Sequence, residues 1–300
     1  MPARKLRQTT VELIGSGCKG VNYYEWRGDY PGEKTPLPDN CGFLHYNGAK
    51  TGHFDSSVAL IHHIEKYSEM IALAEKKRCG IAILHSDHAI CWHDGATRTE
   101  LGGINEWVRR TLETYKELRS AGFSPDIVRA ENLADNRFGT RIVFVPFETG
   151  LSEQEKKQIS VFADVCGKVF VMVKSSGLGS PLALGSWWDW TDMPGNRTTT
   201  EFRGGASVLD LLERLGEKPF VKTGSRNLHA NVLDGDGYSI VTLVNNDPFD
   251  DPVPAPEMKL RIPSTKIVFS TPEEECELVR NGDTVLLPEV KHSAFLILYN

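Results

Sequence analysis

The chain has 300 residues, a formal net charge of -6 at pH 7, and 40% hydrophobic and 25% charged residues. This is the composition of a soluble globular protein, and its acidic balance argues against nucleic acid because no basic stripe is available to neutralise phosphates. No run approaches the roughly 20 apolar residues of a membrane span, and no signal-peptide core follows the basic N-terminus. The six cysteines form no C-x-x-C pair, so we expect free thiols in a reducing cytoplasm.

The first 78 residues predict two helices and one strand. In chain order the elements are a helix over 4–15, a strand over 20–26, a loop over 28–53 and a helix over 55–77. Apolar residues at helical spacing indicate the helices, and Gly15 and Gly17 are expected to end the first one. These elements amount to one and a half β/α units, which are too few for a closed fold.

Residues 79–216 alternate short apolar runs with amphipathic segments. The predicted strands cover 81–84, 126–128, 141–145 and 168–174, and the predicted helices cover 104–121, 152–162 and 207–215. Ser152, followed three residues later by Glu155, forms a capping box at the start of a helix. This alternation favours a doubly wound parallel sheet.

Residues 217–300 have a different sequence pattern, in which short segments of alternating apolar and polar residues are separated by turn residues. The predicted strands cover 228–233, 238–245, 258–262, 266–269, 284–287 and 294–299. Such spacing indicates an all-β, sandwich-like module.

Side chains suited to sugar binding lie at and just after the end of the predicted strand over 20–26. Trp26 offers a flat indole for stacking, and Arg27 and Glu33 can form charge-assisted hydrogen bonds to hydroxyl groups. The alternative is that Trp26 is a core anchor with Arg27 as its ion-pair partner. A catalytic carboxylate pair that includes Glu25 is not favoured, because in a strand Glu25 points to the face opposite Trp26.

Other patterns carry weaker chemical signals. A polar set follows the strand over 81–84: His85, Asp87, His88, Cys91 and His93. Its spacing matches no strong metal signature, and the glycines at 102–103 and 177–179 do not form a dinucleotide fingerprint. We therefore predict no metal and no cofactor. The tryptophan-rich run 187–190 is interpreted as an interface or a buried plug rather than a sugar shelf.

The strand-end motif resembles the last barrel strand and following loop of the β-galactosidases of glycoside hydrolase family forty-two. The residues that carry this resemblance are Gly20-Val21-Asn22-Tyr23-Tyr24-Glu25-Trp26-Arg27, Gly32-Glu33-Lys34 and Gly42. The helix over 55–77 is similar to the final barrel helix of the family. The segments 81–84, 115–122 and 141–146 are similar to its trimerisation domain, which has a flavodoxin- or amidotransferase-like fold. The tail, with Val244-Asn245-Asn246, is similar to its small C-terminal β domain.

The resemblance implies three parts: a remnant of a (β/α)8 barrel over 1–78, a trimerisation-like α/β domain over 79–216 and a β domain over 217–300. It implies hydrolysis of terminal β-galactosides with retention, carried out by two glutamates on earlier barrel strands. We expect both glutamates to precede this chain, so that it contains no catalytic residue and is inactive alone. The implied sugar-binding residues are Trp26, Arg27 and Glu33, although residues 36–39 depart from the family's usual loop.

Two rival hypotheses stay open. One is a non-catalytic oligomerisation or carbohydrate-binding protein, a homotrimer or the partner of a separate N-terminal catalytic segment. The other is an independent amidotransferase- or flavodoxin-like enzyme, although no cysteine lies at a strand-to-helix elbow. An incomplete barrel is also expected to expose the apolar face of the helix over 55–77. The first 78 residues are then expected to pack on the middle domain or to be the least stable part of the chain.

Overall fold

The structure is a computed structural model in which two compact units are formed. It describes residues 3–23, 26–28, 42–97, 106–136, 138–146, 150–165, 167–174, 188–192, 207–247, 249, 251–254 and 256–300. The terminal unit consists of Met1–Lys77 and Phe220–Asn300, and the central unit consists of Arg78–Pro219. None of the described helices has the length and apolar character that a membrane span requires. Cys18, Cys91 and Cys276 carry free thiols.

The helices and strands follow one another along both units. The helices are α1 (Ala3–Gly15), α2 (Phe54–Lys66), α3 (Ser68–Leu73), α4 (Asp87–Thr97), α5 (Glu106–Ser120), α6 (Glu131–Ala134), α7 (Glu153–Val165) and α8 (Val208–Arg214). The strands are β1 (Glu75–Lys76), β2 (Ile81–His85), β3 (Asp126–Arg129), β4 (Ile142–Val145), β5 (Lys168–Lys174), β6 (Trp188–Asp192), β7 (Val221–Thr223), β8 (Leu228–Gly235), β9 (Tyr238–Asn245), β10 (Glu257–Leu260), β11 (Lys266–Ser270), β12 (Glu275–Leu278), β13 (Arg280–Asn281), β14 (Thr284–Leu286) and β15 (Ser293–Tyr299).

The terminal unit contains two antiparallel sheets and the helices α1 to α3. One sheet has the order β1-β8-β9-β15-β11-β12, and the other has the order β13-β14-β10-β7. One apolar cluster is shared by the two sheets, and a second cluster joins the six-stranded sheet to the helices. The six-stranded sheet is therefore covered on both faces.

Strand β15 shows how the sequence supports this arrangement. Leu296 and Leu298 belong to the cluster between the sheets, whereas Phe295 and Ile297 belong to the cluster under the helices. Successive side chains of a strand point to opposite faces. Because both faces of β15 are covered, its sequence is an unbroken apolar run rather than an alternating one.

The expectation that the helix over 55–77 exposes its apolar face is only partly met. Leu60 and Ile71 are 0% and 4% exposed and lie in the cluster that joins the helices to the six-stranded sheet, whereas Ile61 and Leu73 are 40% and 70% exposed. The C-terminal strands cover the buried part of this face, and the sequence did not predict that partner.

The single helix predicted over 55–77 is interrupted in the structure. Helix α2 ends at Lys66, and Tyr67, with φ of -112° and ψ of 13°, separates it from α3. Tyr67 is 6% exposed, and its hydroxyl donates a hydrogen bond of 2.7 Å to Glu275. The burial of Tyr67 against the sheet therefore outweighs the local helical periodicity.

The strand predicted over 20–26 is also not formed in the described part of that segment. Residues 20–23 pair with no neighbouring strand, and Arg27 makes only an isolated bridge to Leu44. A strand needs a hydrogen-bonded neighbour to form a ladder. The apolar and aromatic character of the run was not sufficient to supply one.

The central unit contains one five-stranded sheet with the order β3-β2-β4-β5-β6. The first four strands are parallel, and β6 is antiparallel to β5. Trp107 from α5 and Phe162 from α7 pack in its core with Phe144 and Phe170 from the strands. The predicted α/β class is confirmed as a mixed fold with parallel and antiparallel sheets. Helix α4 and strand β6 were not predicted.

Candidate functional site

Backbone hydrogen bonds attach the Trp26 segment to the C-terminal part of the long loop. The N–H of Gly28 donates to the carbonyl of Leu44 at 2.9 Å, and the N–H of Leu44 donates to the carbonyl of Trp26 at 3.0 Å. Leu44 is also bridged to Lys50. A methyl group on Gly42 would lie 2.5 Å from the backbone nitrogen of Gly28. This close approach gives a physical reason for the glycine that the family resemblance singled out.

The indole of Trp26 rests on two phenylalanine rings. The centroid distances are 5.9 Å to Phe43 and 5.9 Å to Phe54, with interplanar angles of 62° and 64°. Phe43 is 7% exposed, whereas Trp26 is 59% exposed. Phe43 therefore fills the core beneath, and Trp26 presents an open ring to solvent. We call Trp26, Phe43 and Phe54 the aromatic platform.

Polar side chains lie next to the aromatic platform. The Lys50 ammonium lies 4.8 Å from the centroid of Phe54 and 2.7 Å from Asp55 Oδ1. The imidazole of His53 lies 5.9 Å from the Phe43 ring, and burial lowers the pKa of His53. His53 is therefore a neutral imidazole at pH 7. Together these groups place a cation, an anion and a neutral imidazole beside the two phenylalanine rings on which Trp26 rests.

Arg27 occupies a different position from Trp26. Arg27 is bridged to Leu44, while Trp26 packs on the preceding residue, Phe43. Because neighbouring residues in extended backbone alternate sides, we infer that Arg27 points away from the aromatic platform. A methyl group on Gly48 would lie 3.3 Å from the guanidinium of Arg27, which places that group beside the turn at Gly48.

Glu33, the remaining residue predicted for this site, lies outside the described part of the chain, as does Glu25, which was not favoured. The sugar-binding roles of Trp26, Arg27 and Glu33 therefore stay predictions. Sequence reasoning missed Phe43, Phe54 and His53. The available signal was that the end of the long loop and the residue after it carry three aromatic residues, Phe43, Tyr46 and Phe54.

The polar set after β2 is divided among separate contacts. Asp87 accepts hydrogen bonds from His85 at 2.9 Å and from Arg129 at 2.8 Å. His88 Nδ1 lies 2.6 Å from the carbonyl oxygen of Gly150, and His93 is buried beside Trp107. In the described ranges, no three His, Cys, Asp or Glu side chains converge as metal ligands. The glycines at 102–103 and 177–179 lie outside these ranges, as do the side chains of 187–190.

The fold is similar to solved structures of glycoside hydrolases. No family model matches the chain, and no curated protein matches it. A catalytic mutant of Gan42B, a GH42 β-galactosidase from G. stearothermophilus, aligns with a TM-score of 0.66 and 12% identity over 100% of this chain and 51% of that chain. A β-galactosidase from Bacillus circulans sp. alkalophilus aligns with a TM-score of 0.67 and 12% identity over 98% of this chain and 52% of that chain.

A GH42 exo-carrageenase from Bacteroides ovatus shows a weaker similarity, with a TM-score of 0.57 and 12% identity over 100% of this chain and 39% of that chain. The chain thus spans about half the length of the β-galactosidases that it resembles. The resemblance read from the sequence is confirmed at the level of the fold: the chain folds like about half of a GH42 β-galactosidase, consistent with the C-terminal portion.

Proposed function

We propose that this chain is the C-terminal part of a retaining glycoside hydrolase that removes terminal β-galactosides. In this proposal residues 1–78 are the end of a (β/α)8 barrel and form one wall of the sugar site. Residues 79–216 are a flavodoxin- or amidotransferase-like oligomerisation domain that forms a trimer, and residues 217–300 are a small sandwich-like β domain. The similarity of the whole chain to GH42 β-galactosidases supports the proposal.

The observation that carries the proposal is the open indole of Trp26. Trp26 is 59% exposed although it contacts Phe43 and Phe54 at 5.9 Å. A rigid, half-covered aromatic ring presents a flat apolar face, and the apolar C–H face of a pyranose can pack on it. Lys50 lies beside Phe54, Asp55 is paired with Lys50 and His53 lies beside Phe43, and we propose that these groups bind the hydroxyl groups of a sugar stacked on Trp26.

The catalytic glutamates of the complete enzyme are proposed to lie outside this chain. Retaining glycosidases need two carboxyl groups about 5 Å apart, one as nucleophile and one as acid/base. Among the described residues, Asp55 lies beside the aromatic platform, and its Oδ1 is paired with Lys50 at 2.7 Å. We therefore propose that the chain binds galactosides but does not hydrolyse them alone.

Sugar binding is tested with galactose and lactose by ligand-observed NMR on the wild type and on Trp26→Ala. We expect the variant to bind at least about fivefold more weakly, because an aromatic stacking contact contributes about 1 kcal/mol. The matched control is Trp92→Ala, since Trp92 is 48% exposed but lies on α4 of the central unit. Equal loss of affinity in both variants, or no binding by the wild type, would contradict the proposed site.

Catalysis is tested with a chromogenic β-galactoside and the purified chain. We expect no turnover above a heat-killed control, and turnover should appear when an upstream polypeptide that carries barrel strands is added. Turnover by the chain alone would show that the catalytic groups lie within it. Turnover that is restored by a catalytic polypeptide from a different gene, rather than by the upstream barrel strands, would favour the rival hypothesis of a non-catalytic partner protein.

A further inference from the structure

His63 fixes the C-terminal end of α2 to the six-stranded sheet. The side chain is 8% exposed, and its ring stacks on Phe295 of β15 with a centroid distance of 4.9 Å and an interplanar angle of 17°. The edge of the ring meets Tyr67 at 5.7 Å, and Nε2 lies 2.9 Å from the hydroxyl oxygen of Ser270 on β11. One imidazole therefore contacts two strands of the sheet.

The hydrogen-bond network defines which nitrogen of the neutral imidazole carries the proton. The hydroxyl of Ser270 donates to Glu275 Oε2 at 3.2 Å, so its oxygen accepts from the Nε2–H of His63. Nδ1 of His63 then carries a lone pair, and it is buried without a hydrogen-bond partner among the described residues. A proton added at Nδ1 would be a buried N–H group without an acceptor, which is costly.

The charged groups around His63 do not compensate for that proton. Arg7 on α1 and Lys66 on α2 are cations, while Glu273 and Glu275 are anions from the side of the sheet. Glu273 is already paired with Arg7 at 2.6 Å, and Glu275 accepts a hydrogen bond from Lys66. Burial, followed by the charge of Lys66, lowers the pKa of His63 to about 4. In the unfolded chain the pKa is near 6.5.

We propose that His63 is a pH-dependent lock on α2: the neutral imidazole holds the helix on the sheet, and the protonated imidazole releases it. Helix α2 begins at Phe54, whose ring supports Trp26 at 5.9 Å. Release of α2 therefore removes one of the two rings on which Trp26 rests. The contact that supports the aromatic platform is strongest at neutral pH and weakens as the pH falls from about 6.5 towards 4.

Hydrogen exchange of the backbone amides of α2, corrected for the intrinsic exchange rate, tests the lock at pH 7.5 and pH 5.0. If the pKa of His63 rises from about 4 to about 6.5 when α2 opens, the protection of the α2 amides should be about 30-fold lower at pH 5.0 than at pH 7.5. His63→Gln keeps an amide hydrogen-bond donor but cannot titrate, so its α2 protection should lose most of its pH dependence. His62→Gln is the matched control, because His62 is the exposed neighbour on the same helix, and it should retain the 30-fold loss.

Several outcomes would overturn the proposal. These are an unchanged α2 protection in the wild type at pH 5.0, an equal loss in His63→Gln, and a parallel loss in β9, which would make the effect global. If His63→Gln does not fold, NMR titration of the His63 ring in the wild type decides. Titration near pH 4 supports the lock, and titration near pH 6.5 refutes it.

Discussion

Replacement of Gly15 by alanine tests the packing of α1 on the sheet. Gly15 is the last residue of α1, and it faces Asn231 of β8 and Thr242 of β9, which are paired with each other. A methyl group on Gly15 would lie less than 3.0 Å from Thr242 Oγ1 and 2.8 Å from the Cβ of Asn231, where 3.4–4 Å is ordinary contact. The side chains of Asn231 and Thr242 are 1% and 0% exposed, so neither can move into solvent.

Two opposing effects decide whether this substitution raises or lowers the stability. At an exposed helical position alanine is more stable than glycine by about 1 kcal/mol. Insertion of a methyl group into a packed interface costs about 1–3 kcal/mol, because the helix and the strands must separate. At Gly15 the overlap is with two strands inside the sheet, so we expect Gly15→Ala to lose up to about 2 kcal/mol of stability.

The assay is the free energy of opening of β9 amides, measured by hydrogen exchange, because it reports on the terminal unit alone. Thr242→Ala removes the oxygen that lies closest to the added methyl group, and that oxygen has no hydrogen-bond partner among the described residues. The double variant should therefore recover about 1 kcal/mol relative to the sum of the single changes. Gly52→Ala is the control, since a methyl group there meets nothing within 4 Å. An increase in stability for Gly15→Ala, or zero coupling to Thr242→Ala, would refute the reasoning.

Two further substitutions test local contacts. Ser207→Ala removes the N-cap of α8, where Ser207 and Asp210 form a reciprocal capping box. The substitution should lower the stability of the central unit by about 1 kcal/mol. An unchanged thermal midpoint would count against a stabilising role of the cap. Asn245→Ala should lower the stability of the terminal unit by about 2–4 kcal/mol. The buried amide of Asn245 donates to the carbonyls of Asp251 and Lys291 at 2.9 Å each, and without these hydrogen bonds the buried polar groups are unsatisfied. Urea unfolding measures that loss, and a change below about 0.5 kcal/mol would be the contradictory result.

The aromatic platform shows how far sequence reasoning reached. The residue type of Trp26 and its place at the end of the predicted strand suggested a sugar-stacking ring, which stays a prediction. The contacts that hold the ring come from Phe43, near the end of the long loop, and from Phe54, just after it. The relation between Trp26 and Arg27 also escaped the sequence, because the bridge from Arg27 to Leu44 determines which side each residue faces.

The sequence by itself determined most of the local structure of this protein. The capping box of Ser152 and Glu155 was predicted, and the backbone N–H of Ser152 donates to Glu155 Oε2 at 2.8 Å. The strands β2, β4, β8, β9 and β15 lie where their apolar patterns predicted them. These features depend on residues a few positions apart, so short-range periodicity and capping chemistry are sufficient to define them.

Only the tertiary structure decided how these elements are assembled. It placed α1 to α3 on the C-terminal sheet, divided the predicted helix at Tyr67 and added the antiparallel strand β6. It also left residues 20–23 without a strand partner among the described residues. Each of these features depends on contacts between residues far apart in the chain. Local patterns define which surfaces are apolar, but they do not specify which distant surface covers them.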